Sequence, residues 1–225
     1  MLFRSTKAKF KLRPILQACA NGSSELMSNI SGSVVGIVYN FQLLKYLGEN
    51  GISAYGVLMY VQFIFIAIFV GYSIGCAPVV SFHFGAGNHS ELQSLLKKST
   101  RIVGSLSIIL TVLALTLANP LAKMFVGYDV ELLAITSHAF KIFSFSFLLA
   151  GFNIFASSFF TALNNGVISA AISFLRTLIF QTSSVLILPL ILSVDGLWGA
   201  NVAAEIFAFV ISLAFLVANR KKYHY

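Results

Sequence analysis

The chain has 225 residues, of which 58% are hydrophobic and only 10% are charged, and its net charge is +8. Soluble domains carry about 25% charged residues, so a soluble globular protein is excluded, because the chain has too few polar side chains to cover its apolar ones. Nucleic-acid binding is not indicated either, because the basic residues lie in separate groups between long apolar runs.

Six apolar runs fill most of the chain. They cover residues 26–44, 54–82, 102–118, 142–175, 177–194 and 197–219. A helix needs about 20 mostly apolar residues to cross the hydrocarbon layer. The fourth run is too long for one crossing, and the turn signal Asn164-Asn165-Gly166 divides it. The sequence therefore predicts an all-α, polytopic membrane protein with six transmembrane helices.

In chain order, the predicted elements begin with a basic cytoplasmic linker, residues 1–14. A transmembrane lobe follows over residues 15–219, and a basic cytoplasmic tail occupies residues 220–225. Its helices are predicted at about 15–46, 53–82, 99–118, 132–162, 165–193 and 197–219.

Three features mark the connections between these helices. Gly48 and Gly51 predict the turn after the first helix. Residues 90–98 carry leucines at helical spacing between polar residues, which predicts a short amphipathic helix on the cytoplasmic membrane surface. Asn119-Pro120 predicts the end of the third helix, because proline lacks a backbone donor and its ring clashes with the preceding turn.

The placement of the basic residues predicts the orientation of the chain. Cytoplasmic connections carry more Lys and Arg than outer ones. With both termini in the cytoplasm, eleven basic residues fall there: Arg4, Lys7, Lys9, Lys11, Arg13, Lys97, Lys98, Arg101, Arg220, Lys221 and Lys222. The opposite side receives only Lys45 and Lys123. We therefore expect a multi-pass protein of the inner (plasma) membrane, whose basic segments contact anionic membrane lipids.

No group of residues indicates catalysis, a metal site or a bound cofactor. The four histidines and the two cysteines show no ligand spacing, and no acid–base or nucleophile pattern is present in the sequence. We therefore expect a protein that is not an enzyme.

Glu25 is the leading candidate for a functional residue, because charges within spans are costly and usually functional. Glu25, Asn29 and Asn40 fall on one helical face, with Gly32 and Gly36 between them. A carboxylate with amides beside a water-filled path suits a proton or cation site. The alternative is that Glu25 lies at the interface and caps a helix that starts after two serines.

Three other charges interrupt the predicted spans: Lys141, Arg176 and Glu205. Each either lines a transport cavity, forms an intramembrane ion pair, or extends to the nearest interface along its own helix. We count Arg176, with Asn29 and Asn40, as a candidate cavity residue. Gly32-x-x-x-Gly36 and Gly71-x-x-x-Gly75 predict close packing of helices, because small residues let two backbones approach.

Three spaced patterns together resemble one family of transporters. They are Ala20-Asn21-Gly22-Ser23-Ser24-Glu25-Leu26, Gly71-Tyr72-Ser73-Ile74-Gly75-Cys76-Ala77-Pro78 and Phe84-Gly85-Ala86-Gly87-Asn88. In this order they are similar to the second half of a bacterial multidrug and toxic compound extrusion (MATE) transporter, over nearly the whole chain. The resemblance implies two six-helix lobes with twelve spans, and export of organic cations and other drugs by alternating access, driven by inward Na⁺ or H⁺ flow.

The resemblance also implies a role for Glu25 and a missing partner. Glu25 matches the acidic residue that some members carry on the first helix of their second lobe, where it couples cation flow. Some members carry another acid on the fourth helix of this lobe, whereas the fourth helix predicted here has Lys141 and Asn153 and no Asp or Glu after Glu131. Because 225 residues supply one lobe, we expect a fragment or truncated product that needs an N-terminal lobe, or a half-transporter that pairs with a second copy.

Two other interpretations remain open. A flippase for lipid-linked oligosaccharides or polysaccharides has a similar lobe, and it would depend on a long polar cavity rather than on one carboxylate. A non-transporting membrane scaffold or remnant is the other interpretation, and it would show no ion-dependent flux.

The orientation predicts which positions a membrane-impermeant thiol reagent reaches. In a variant whose Cys19 and Cys76 are replaced by serine, a cysteine introduced at Asn50 is expected to react in intact cells, because Asn50 lies in a predicted outer connection. A cysteine introduced at Ser90 is expected to react only after lysis. The reverse labelling pattern would contradict the orientation.

Overall fold

The computed structural model describes residues 12–225, and every regular element in that range is helical. The six α-helices are α1 (Leu12–Gly85), α2 (His89–Val126), α3 (Val130–Phe143), α4 (Phe147–Ala162), α5 (Gly166–Phe174) and α6 (Thr182–Tyr223). A 3₁₀ turn, Ser144–Ser146, joins α3 to α4, and a π-helix, Leu175–Gln181, joins α5 to α6. The prediction of an all-α chain is confirmed.

Two predicted boundaries differ from the structure. Most of the predicted linker, residues 1–14, lies outside the described residues, and Leu12 already belongs to α1. The predicted break at Pro120 is absent, because α2 runs from His89 through Pro120 to Val126 and includes the predicted surface helix. Ala118 and Ala122, on either side of Pro120, are completely buried. Packing of this face therefore outweighs the backbone hydrogen bond that proline removes.

Four helical stretches of the described chain are long and apolar enough to cross a membrane: Glu25–Gly85, His89–Val126, Val130–Ala162 and Gly166–Tyr223. This number is smaller than the six spans predicted. The first and last stretches contain 61 and 58 residues, however, which is far longer than the roughly 20 residues of one crossing. Each of these two contains one residue with non-helical backbone angles, Gly48 in the first and Ser193 in the last.

The chain reverses direction at Gly48. Its backbone angles, φ 63° and ψ −150°, suit glycine, which has no Cβ to clash at positive φ. Tyr39 and Tyr55, on either side of it, stack with ring centroids 4.6 Å apart. In a straight helix sixteen residues span about 24 Å. α1 therefore consists of a first arm, residues 12–47, and a second arm, residues 49–85, that lie side by side.

A second reversal lies at Ser193, where φ is 52° and ψ is −128°. The Leu188 carbonyl lies so close to Gly196 that a Cβ on this glycine would overlap it, although eight residues of straight helix span about 12 Å. α6 therefore has a first arm, residues 182–192, and a second arm, residues 194–223. The Tyr39 hydroxyl donates to the Leu197 carbonyl at 3.3 Å, so both reversals lie at the same end of the bundle.

The ends of α1, α4 and α6 and the start of α2 lie at the opposite end of the bundle. Ser81 Oγ donates to the Ala162 carbonyl at 2.9 Å, and Gln93 Nε2 donates to the His224 carbonyl at 3.0 Å. These bonds join the end of α1 to the end of α4, and the start of α2 to the end of α6. The basic groups near residues 97–101 and 220–222 therefore share one end of the molecule, as alternating connections require.

The outer surface is apolar over much of its area. Phe63 is 79% exposed and Leu190 is 73% exposed, and many other large aliphatic and aromatic side chains are exposed as well. Soluble monomers rarely expose apolar patches of more than a few hundred Å². A lipid bilayer is the solvent that this surface suits, in agreement with a multi-pass membrane protein.

The glycine motifs of α1 do not pack as the sequence predicts. A Cβ added at Gly32, Gly36, Gly71 or Gly75 would meet no other atom within 4 Å, so no described segment approaches α1 at these residues. The close approach is made instead by Gly151 of α4, where a Cβ would lie 2.5 Å from Phe69 Cε1 and 3.0 Å from Ser107 Oγ. Gly151 is thus where α4 meets both α1 and α2.

This crossing predicts opposite effects for two glycine substitutions. Gly151→Ala is expected to destabilise the protein by about 1–3 kcal/mol, because the Phe69 ring is 1% exposed and cannot move without disturbing the core. Gly71→Ala is the matched control, because its added methyl meets open space, and it is expected to be neutral or stabilising. Denaturant unfolding of the purified protein in detergent measures both. Equal effects would contradict the crossing.

Candidate functional site

A cavity of about 670 Å³ opens among the two arms of α1, α4, α5 and the π-helix. We call it the polar cavity, because its lining includes a carboxylate, a guanidinium, an amide and many hydroxyl groups. These polar residues are Glu25, Ser28, Ser73, Ser81, Asn153, Ser157, Ser158, Thr161, Ser173 and Arg176. The structure therefore brings two of the four predicted site residues, Glu25 and Arg176, to the wall of one cavity.

Glu25 lies within the first arm of α1 rather than at a helix start. The helix is continuous from Leu12, so the alternative that Glu25 caps a helix is wrong. Its side chain is exposed and lines the polar cavity together with Ser28, which lies about one turn further along the same arm. Among the side chains that the structure describes, none forms an ion pair with Glu25.

Asn29 and Asn40 do not line the polar cavity. Both side chains are exposed, and each amide donates to a carbonyl of its own helix. Asn29 Nδ2 lies 2.9 Å from the Glu25 carbonyl, and Asn40 Nδ2 lies 2.9 Å from the Gly36 carbonyl. Both residues therefore lie on the exposed surface of the first arm, and their role as cavity residues stays a prediction.

Arg176 forms a forked ion pair with Glu205 of α6. Arg176 Nη2 donates to Glu205 Oε1 at 2.6 Å, and Arg176 Nε lies 3.0 Å from both carboxylate oxygens. The side chains are 21% and 5% exposed, respectively. Arg176 and Glu205 therefore form the ion pair that was one of the alternatives for these charges. Arg176 also lines the polar cavity.

Asn153 of α4 completes this group. Its Nδ2 donates to Glu205 Oε2 at 2.7 Å and to the Glu205 main-chain carbonyl at 3.0 Å. Asn153 Oδ1 is buried and has no partner among the described residues. Sequence reasoning did not connect Asn153 with Glu205. The sequence did contain a signal for the ion pair: Arg176 and Glu205 have opposite charges on neighbouring predicted helices, and each charge is costly in a bilayer without a partner.

The π-helix places two polar side chains against α6 at once. Gln181 Nε2 donates to Asn201 Oδ1 at 2.8 Å, next to the Arg176–Glu205 pair. Asn201 and Glu205 are four residues apart, about one α-helical turn, whereas Arg176 and Gln181 are five apart, the spacing of one π-helical hydrogen bond. In an α-helix residues five apart diverge by about 140°. The wider turn therefore brings both side chains to the same neighbour.

A cluster of hydroxyl groups joins α4 to α5 beside the ion pair. Ser157 Oγ lies 2.9 Å from Ser169 Oγ and 3.0 Å from Ser173 Oγ, and Thr161 Oγ1 lies 2.6 Å from Ser169 Oγ. Such bonds between helices stabilise packing inside a bilayer. They also supply the polar cavity with oxygen atoms of the kind that hard cations bind.

Comparison with known proteins identifies the family of this chain. The sequence profile of the MatE family matches residues 25–185, which is more than half of the sequence. The chain belongs to the MatE family. The resemblance to MATE transporters noted from its sequence patterns is confirmed. Among curated proteins, none matches the sequence significantly.

Solved structures of MATE and related transporters share the fold. An outward-facing multidrug resistance MATE family transporter of the MOP superfamily gives a TM-score of 0.88 at 18% identity, over 97% of this chain and 50% of its own. The MATE transporter VcmN from Vibrio cholerae gives 0.84 at 17% identity, over 95% and 49%. A MOP superfamily transporter from Pyrococcus furiosus gives 0.81 at 19% identity, over 98% and 51%. The MatE chain therefore spans about half the length of these proteins.

The buried ion pair predicts an asymmetric effect on stability. Glu205→Ala leaves Arg176 unpaired and is expected to cost about 3–5 kcal/mol. Arg176→Leu/Glu205→Leu is expected to recover part of this loss, because no buried charge is left alone. Asp195→Ala is the control: it breaks an exposed pair with His138, whose side chains are 55% and 59% exposed, and is expected to cost less than about 1 kcal/mol.

Denaturant unfolding in detergent measures these variants side by side. A loss for Glu205→Ala no larger than that for Asp195→Ala would contradict the buried character of the pair.

Proposed function

We propose that this chain is the C-terminal six-span lobe of a transporter that exports organic cations and other drugs by alternating access. The lobe couples export to inward flow of Na⁺ or H⁺, and the ion is its only cofactor. The observation that carries the proposal is a polar cavity in a MatE-family lobe with a carboxylate, Glu25, in its wall that has no ion-pair partner among the described side chains. On this proposal the protein is a transporter and not an enzyme.

The two reversals support the proposal of six crossings. Gly48 divides the first long stretch and Ser193 divides the last, so four continuous stretches become six antiparallel arms. Each arm is long enough for the roughly 30 Å of hydrocarbon, with the exception of residues 182–192, which cross together with α5 and the π-helix. The basic groups at one end of the bundle support the proposal that both termini lie in the cytoplasm and that the protein belongs to the inner membrane.

A second lobe is proposed to cover the open face of α1. A Cβ added at Gly32, Gly36, Gly71 or Gly75 would meet no described atom within 4 Å, and the exposed amides of Asn29 and Asn40 lie on the first arm. Small and polar residues of this kind favour contact with protein or a water-filled cavity rather than with lipid. Because the chain covers 50% of the transporter with the highest TM-score quoted above, the partner is an N-terminal lobe, or a second copy of this lobe.

Coupling is assigned to Glu25 because the other acid near the polar cavity is already neutralised. Glu205 is held by Arg176 and Asn153, so neither its charge nor that of Arg176 is free to follow the coupling ion. Glu25 has no such partner in the described chain and stands near hydroxyl oxygens of α1 and α4. It is therefore suited to bind and release H⁺ or Na⁺ as the lobes move about a midplane site.

Glu25→Gln tests the coupling role. In cells that carry this lobe together with a complementary MATE N-terminal lobe, ethidium efflux is expected to fall to background and to lose its dependence on the ion gradient, because the amide cannot carry charge. Glu91→Gln is the control: it removes an exposed acid from the same end of the bundle and leaves the polar cavity unchanged. Efflux and surface expression are measured together.

Three results would contradict the proposal. Unchanged, ion-dependent efflux in Glu25→Gln would remove Glu25 from coupling. Transfer of lipid-linked oligosaccharides without drug efflux would favour the flippase-type lobe. Correct insertion of both lobes with no ion-dependent flux of any kind would favour a scaffold or remnant.

A further inference from the structure

A second cavity, of about 360 Å³, lies between α2, α4 and the second arm of α6. We call it the lateral cavity. Its walls are apolar along most of their length: Phe152, Phe155, Phe209, Leu213, Leu216 and Val217. None of these residues lines the polar cavity, so the two cavities lie against different parts of α4.

One end of the lateral cavity is basic. Lys97 of α2 and Arg220 of α6 both line it, and both side chains are exposed. No acidic residue lines this cavity, and no ion pair holds either cation in the described part of the chain. Their charges are therefore available to an anion.

Local contacts bring these two basic residues together. Gln93 Nε2 donates to the His224 carbonyl at 3.0 Å, which joins the first turns of α2 to the C-terminus. The Tyr225 hydroxyl donates to the Leu216 carbonyl at 2.9 Å and holds the last residue against the same helix. Lys97 lies about one turn after Gln93, and Arg220 about one turn after Leu216, so the two cations flank the same opening.

The apolar part opens sideways, toward the surface that faces lipid. Leu213 is 49% exposed and Val217 is 67% exposed, while Phe152 and Phe209 pack edge to face at 5.6 Å between centroids behind them. A cavity with an apolar lateral opening and a cationic end fits a molecule that has an apolar tail and an anionic head. An organic cation would be repelled by Lys97 and Arg220.

We propose that the lateral cavity binds an anionic glycerophospholipid of the leaflet at the basic end of the bundle. Its phosphate contacts Lys97 and Arg220, and one acyl chain lies along Phe152, Phe209 and Leu213. The bound lipid connects α2 to the end of α6. The site requires only the fold and a bilayer, so it stands apart from the coupling role of Glu25 and from the identity of the exported substrate.

Native mass spectrometry of the purified protein tests the head-group contacts. Phosphatidylglycerol and phosphatidylcholine with the same acyl chains are titrated separately. Lys97→Gln/Arg220→Gln is expected to weaken phosphatidylglycerol binding roughly 30-fold. Lys98→Gln/Lys221→Gln is the matched control, because it removes the same charge from adjacent exposed positions that do not line the cavity, and it is expected to change binding less than about threefold.

A second pair of variants tests the acyl contact without changing any charge. Leu213→Trp fills the lateral opening and is expected to abolish tight phosphatidylglycerol binding. Val210→Trp adds the same side chain at an exposed position on the same helix, outside the cavity, and is expected to leave binding unchanged.

Four outcomes would overturn the proposal. Equal loss in the two charge variants would show a diffuse surface attraction and no site. Equal affinities for phosphatidylcholine and phosphatidylglycerol would show that the anionic head group does not contribute to binding. Retained phosphatidylglycerol binding in Leu213→Trp would show that the acyl chain does not occupy the lateral opening. Displacement of phosphatidylglycerol by ethidium would assign the cavity to exported cations. Because none of these measurements uses transport, a failure of the coupling proposal leaves their outcome unaffected.

Discussion

A charge inside a bilayer is costly unless the protein pairs it, and Arg176 and Glu205 avoid this cost by forming an ion pair. Asn153 donates a further hydrogen bond to the same carboxylate, so one group links α4, the π-helix and α6. The π-helix gives Arg176 and Gln181 a common face toward α6. The π-helix thus positions Arg176 and Gln181 for their contacts with α6, and these contacts in turn stabilise the π-helix.

The two cavities differ in the charged side chains that line them. The polar cavity keeps one carboxylate without an ion-pair partner among the described residues, Glu25, within a wall rich in hydroxyl groups. The lateral cavity keeps two basic residues at the end of an apolar slot. A cation is therefore suited to the first and an anionic amphiphile to the second. One lobe offers two sites of opposite charge without a conflict between them, because α4 stands between the two.

The open face of α1 is where we propose that a second lobe packs. In a complete bundle, small residues at intervals of four permit close packing of helices. Here Gly32 and Gly36, and likewise Gly71 and Gly75, face no described atom, although the core on the other side of α1 is closely packed around Tyr39 and Phe69. The face that carries the sequence motifs for close packing is thus exposed in the described chain, and the proposed second lobe would cover it.

The sequence by itself determined the all-α class, the membrane environment and the family, because the length and spacing of apolar runs reflect the thickness of a bilayer directly. It also selected Glu25 and Arg176, which both line the polar cavity, as candidates, since a charge within or beside an apolar run is conspicuous. Only the tertiary structure decided that α2 continues through Pro120, that Gly151 rather than the α1 motifs makes the close crossing, and that Asn153 joins the pair of Arg176 and Glu205. These features depend on which faces of distant helices meet, and the periodicity of a single helix carries no information about its neighbour.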